Sequence, residues 1–117
     1  MDAVLVKYRG KDSEYLVYDS VKYSAGIQPR SVRSICSFNF GLSAAGVMVG
    51  PYKEGGSLVM KVYAPDGEEK PLEKDALAVC GRYLKDAGYL AEETGKYGSA
   101  GLIGRVYLSE QFVNTYM

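Results

Sequence analysis

Short β-branched, apolar runs alternate with two stretches of helical spacing. Residues 3–9 (AVLVKYR) and 14–19 (EYLVYD) flank the polar break Gly10–Ser13 and predict a hairpin. Residues 45–50 (AGVMVG) and 57–64 (SLVMKVYA) predict a second pair, joined by the turn-forming stretch Pro51–Gly56. In the latter run Leu58, Met60 and Val62 share one face, and Lys61 takes the other. Pro29 suits the first position of a short helix, with Val32, Ile35 and Cys36 on its apolar side and Arg30 and Arg33 outside. A longer helix is predicted over 71–87. Leu72, Ala76, Leu77, Val79, Cys80, Tyr83, Leu84 and Ala87 make its apolar stripe. Gly88 suits the left-handed residue after its end, with Tyr89 folding back on the last turn. Residues 102–108 read as a strand with a bend, and 109–116 as either strand or short helix. The glycine-rich stretches Gly41–Gly46 and Gly95–Gly104 lack phosphate-loop spacing and read as turns and bends.

At 117 residues the chain is the size of one domain. Lys+Arg and Asp+Glu number 14 each, a neutral balance that argues against a nucleic-acid partner. No apolar run reaches the ~20 residues of a membrane span. The first residues lack the apolar core of a secretory signal, so a cytoplasmic setting with reduced thiols is expected. Histidine is absent, which excludes catalysis by serine–histidine or cysteine–histidine pairs. Cys36 and Cys80 are the only cysteines, too few for a thiolate metal site, and neither metal nor cofactor is expected. Both lie on apolar helix faces, where a thiol is a small hydrophobe rather than a nucleophile. Eleven tyrosines suit strand surfaces and a subunit interface alike.

Several stretches resemble diaminopimelate epimerase in order and spacing. Lys7-Tyr8-Arg9-Gly10, followed by Glu14-Tyr15-Leu16-Val17, is similar to the family's K-M-H-G…D-F-V-V. Ile35-Cys36-Ser37-Phe38-Asn39-Phe40-Gly41, then Ala44-Ala45-Gly46, is similar to I-C-D-R-H-F-G-I-G-A-D-G. Val62-Tyr63-Ala64-Pro65-Asp66-Gly67 is similar to F-N-A-D-G, and Arg82-Tyr83-Leu84 with Gly88 to R-Y-L…G. The resemblance covers about residues 4–90. It implies an α+β fold over 1–117: one lobe of the diaminopimelate-epimerase type. Its curved, mostly antiparallel, barrel-like sheet would wrap around one long central helix, with one short helix besides.

That family sets two such lobes against each other, with a catalytic cysteine of M-C-G-N-G at the start of the helix. Here the stretch is Leu72-Glu73-Lys74-Asp75-Ala76, so Glu73 stands in the cysteine's place. Ser13 matches the family's substrate-binding asparagine, Ala64 the asparagine before A-D-G, and Ala45 the aspartate of G-A-D-G. The resemblance implies Ser13, Lys74 and Asp75 as ligand-contacting positions. A helix N-terminus favours thiolates and carboxylates. This one carries Asp66, Glu68, Glu69, Glu73 and Asp75, which repel an incoming anion. The expected function is therefore a single-lobe protein without two-cysteine catalysis. It would act as a homodimeric binding or interaction module joined through the lobe–lobe face, with a small amino-acid-like ligand. The alternative is a cofactor-independent amino-acid racemase or epimerase, working with a separate second lobe or with Glu73 as an altered base.

Overall fold

The computed structural model describes residues 3–23, 29–37, 44–90, 100–109 and 111–113. β1 (Ala3–Arg9) and β2 (Glu14–Asp19) form the expected antiparallel hairpin, with Val6 opposite Val17 and Tyr8 opposite Tyr15. The chain crosses through α1 (Pro29–Ser37) to β3 (Ala44–Glu54), which lies parallel to β2. β4 (Ser57–Tyr63) returns antiparallel to β3, and β5 (Glu69–Lys70) adds a two-residue edge. After α2 (Lys74–Asp86), β6 (Gly101–Leu108) pairs with β1. The sheet order is β5-β4-β3-β2-β1-β6. The protein is thus α+β with a mostly antiparallel sheet; β2–β3 is the parallel pair.

The sheet does not close into a barrel. β5 and β6 are its two ends, and β5 is too short to carry the pairing that closure requires. Nor is α2 enclosed: helices pack on both faces. Strand alternation sends Tyr15, Val17, Met48, Met60 and Val62 to one face, beneath Ala76, Val79, Cys80, Tyr83 and Leu84 of α2. Leu5, Leu16, Tyr18, Val47 and Val49 form the other face, with Val32 and Ile35 of α1. Each face therefore has its own core. α2 buries a single stripe, and Leu77, placed on that stripe by spacing alone, is exposed.

Several boundaries shift for local reasons. The hairpin turn after β3 falls on Gly55 and Gly56, both at positive φ, rather than over 51–56. Two consecutive positive-φ residues suit a tight two-residue connection. Pro51 stays in the strand because it sits at a register shift between Val49 and Tyr52, where a missing N–H costs little. α2 begins at Lys74 rather than Pro71, since Glu69 and Lys70 pair with Tyr63 and Val62 and leave Glu73 extended. Its other end is as the sequence predicts. Gly88 takes φ 86°, the Gly88 N–H donates to the Lys85 carbonyl, and the Tyr89 N–H donates to the Leu84 carbonyl.

β6 bends where its register against β1 slips between Lys7 and Tyr8, at Ile103. In the tail, residues 111–113 form a helical turn. The Phe112 N–H donates to Ser109 Oγ at 3.2 Å, and Val113 is buried in the α1-side core. Residues 110 and 114–117 lie outside the described residues, as do 41–43 and 95–99 of the two glycine-rich stretches. No helix among the described residues is long and apolar enough to cross a membrane.

Candidate functional site

The start of α2 faces the β1–β2 connection. Asp75, in the first turn, turns its carboxylate onto three consecutive backbone N–H groups. Oδ1 accepts from Lys11 at 2.6 Å, and Oδ2 accepts from Ser13 at 2.8 Å and Asp12 at 3.1 Å. The loop holds its own shape through the Gly10 N–H, which donates to the Ser13 carbonyl at 2.8 Å. Gly10 is required by space. A Cβ there would overlap the Asp75 carboxyl group. The loop is therefore a seat for an oxyanion, and Asp75 occupies it.

Of the positions singled out by sequence, the structure brings Ser13 and Asp75 into direct contact, through the Ser13 backbone. Glu73 and Lys74 are exposed beside them. Glu73 is the N-cap residue, but its side chain makes no capping bond; its carbonyl accepts from the Leu77 N–H at 2.8 Å. Beneath them the Tyr15 phenol is pushed above its usual range, first by burial and then by the negative charge of Asp75 and Glu73, while a Ser13 hydrogen bond works the other way.

The thiols lie elsewhere. Cys80 is buried on the inner stripe of α2, and burial pushes it up to about 11, with a backbone hydrogen bond at Met60 opposing. Burial also raises half-buried Cys36. Near neutral pH both are therefore thiols rather than thiolates. A thiol reagent applied to the folded protein is expected to modify Cys36 slowly and to reach Cys80 only on unfolding. Prompt modification of both under native conditions would contradict this burial.

A second cluster sits at the other end of α2, and no sequence reasoning marked it. Asp19 closes β2 and is only 3% exposed. Its Oδ1 accepts from the Val21 and Lys22 N–H groups at 2.9 and 3.1 Å. Its Oδ2 accepts from the Tyr83 hydroxyl and, at 2.9 Å, from Tyr89. Tyr8 packs edge-on against Tyr83, with ring centroids 5.7 Å apart, and donates to Asp86 at 2.6 Å. Arg82 also binds Asp86, its Nε lying 3.0 Å from Oδ1. Burial, then hydrogen bonding to a carboxylate, lifts the phenols of Tyr8 and Tyr83 well above the ordinary range and that of Tyr89 up to about 12. They are donors, not bases. Beside this network lies a cleft of about 560 Å³, lined from β1, β2, β6 and the carboxyl end of α2. Among the described residues no group of acids and thiols is arranged to hold a metal ion.

No protein-family model matches the chain. A curated relative does: the chain is 28% identical over 96 residues to diaminopimelate epimerase 2 of Nostoc sp. (strain PCC 7120 / SAG 25.82 / UTEX 2576). The chain resembles diaminopimelate epimerase. The similarity covers 81% of this chain but 34% of the relative, so the chain spans about a third of that epimerase's length.

Proposed function

We propose that this chain is a lobe of the diaminopimelate-epimerase type that does not run a two-thiol epimerisation and serves as a homodimeric binding or interaction module in the cytoplasm. One observation carries the reading. At the helix start, where an amino-acid carboxylate would be held, the oxyanion seat of the Lys11–Ser13 loop is filled by the chain's own Asp75. Two-base racemisation also needs a proton acceptor and a donor on opposite sides of the α-carbon. The motif that supplies one of them in the family is degenerate here, with Glu73 at its cysteine position; near neutral pH both thiols are protonated, Cys80 buried in one core and Cys36 half-buried against the other.

Self-association is supported by β6. It is an end strand of eight residues, and Leu102, Ile103 and Tyr107 on it are 40%, 48% and 74% exposed. A long edge strand with exposed apolar side chains tends to pair with another chain. Two-fold pairing of β6 with its copy is the simplest closure. Light scattering at micromolar concentration is expected to give twice the 12.8 kDa chain mass, and Tyr107→Lys to return the chain mass. A clean monomer of the unaltered protein would contradict the homodimer.

The second reading keeps an isomerase, with Glu73 as base or with a second lobe on another chain. Its support is that Glu73 is exposed at the helix start, with its side chain uncommitted to capping.

A further inference from the structure

The cleft at the carboxyl end of α2 shares Leu102 and Tyr107 with the β6 edge above, but its floor and its charged groups play no part in that reading. It lies about 16 Å along the helix axis from the Asp75 turn. Val4, Val6 and Val17 line it from adjacent strands, on the face that carries α2. Two acids, Asp19 and Asp86, and two bases, Lys22 and Arg105, also line it. The two acids are already engaged. Asp19 receives two backbone and two phenolic hydrogen bonds, and Asp86 receives Tyr8 and Arg82. The Lys22 and Arg105 side chains make no ion pair among the described residues. Arg82 neutralises Asp86, so Asp19, Lys22 and Arg105 leave one net positive charge among the described residues of the cleft, beside an apolar floor. A cleft of about 560 Å³ lies within the size range of small-molecule sites.

We propose that this cleft binds a small organic carboxylate with a flat apolar body, the carboxylate held by Arg105 and Lys22 and the body lying against Val4, Val6 and Val17. A guanidinium offers a planar pair of donors that matches a carboxylate. An inorganic anion leaves the valine floor unused, and an uncharged ring leaves the cations unused. Both halves of the ligand are needed.

Calorimetric titration with indole-3-acetate tests the site. Indole-3-acetamide serves as the uncharged twin, and acetate as the anion without a body. Saturable binding of indole-3-acetate in the submillimolar range is expected, with each control at least about fivefold weaker. Arg105→Gln is expected to weaken the acid by about fivefold while leaving the amide unchanged, because it removes charge rather than floor. Lys22→Gln provides a second, independently folded variant with the same expected selectivity. Amide shifts on binding should fall at Val4, Val6 and Val17. The site is overturned by absence of saturable binding up to about 10 mM, by equal binding of acid and amide, or by both variants behaving as the unaltered protein. Shifts confined to Lys11–Ser13 would also overturn it, since they would place the ligand at the other end of the helix. Sedimentation of each variant keeps self-association separate, so failure here leaves the homodimer test unaffected.

Discussion

Asp19→Ala is expected to lower the unfolding free energy by about 4 kcal/mol, the largest effect of any single change considered. The carboxylate is buried and is the common acceptor for the Val21 and Lys22 N–H groups and the Tyr83 and Tyr89 hydroxyls. Removing it leaves the Tyr83 hydroxyl without its acceptor between β2 and α2, and lets go of the turn after β2. Asp19→Asn keeps one oxygen but offers an N–H₂ where the other accepted a phenol, so it should lose about half as much. Urea unfolding followed by circular dichroism measures both. A loss under about 1 kcal/mol for the alanine variant would mean that water replaces the carboxylate freely.

The same network fixes a direction with pH. The folded phenols of Tyr8, Tyr83 and Tyr89 titrate above their unfolded value near 10. A folded pKa raised above the unfolded one gives stability that is complete below pH 10 and drains away as the pH rises. The share from Tyr89 is lost by about pH 12. Alkaline unfolding should therefore begin above pH 10, tracked by tyrosinate absorbance.

Asp75→Ala is expected to cost about 2 kcal/mol, comparable to loss of a strong helix cap reinforced by charge. It frees the three N–H groups of the Lys11–Ser13 loop, of which water can recover those of exposed Lys11 and Asp12. Gly10→Ala should destabilise for the complementary reason, since its added methyl meets the Asp75 carboxyl group. The two are coupled. In the Asp75→Ala background the cost of Gly10→Ala should shrink, and a double-mutant cycle reads that coupling directly. Simple additivity would show that the carboxylate does not sit against Gly10 in solution.

Much of this architecture was legible in the residues. The hairpin around Gly10–Ser13, the second strand pair, the short helix at Pro29 and the Gly88 terminus follow from local periodicity and turn chemistry, and each is present. The start of α2 was misplaced because Pro71 signals a helix start as readily as it tolerates the extended stretch after a strand edge. The two-sided packing was hidden for another reason. The alternation within EYLVYD is apolar on both faces, so it does not say that Tyr15 and Val17 meet one helix while Leu16 and Tyr18 meet another. At the helix start the resemblance picked out Ser13 and Asp75, but not that one binds the other. Asp19 gave no local signal at all. Its partners Tyr83 and Tyr89 are 64 and 70 residues away, and only the register of β2 beneath α2 joins them.

The decisive measurement is hydrogen exchange at carbon. The protein is incubated in D₂O with diaminopimelate and a panel of other amino acids, and deuterium at Cα is followed by mass spectrometry. No incorporation above the protein-free rate is expected, because Asp75 holds the Lys11–Ser13 seat on which the proposed reading rests. Incorporation that disappears in Glu73→Gln would contradict this and establish a working base at the head of the helix.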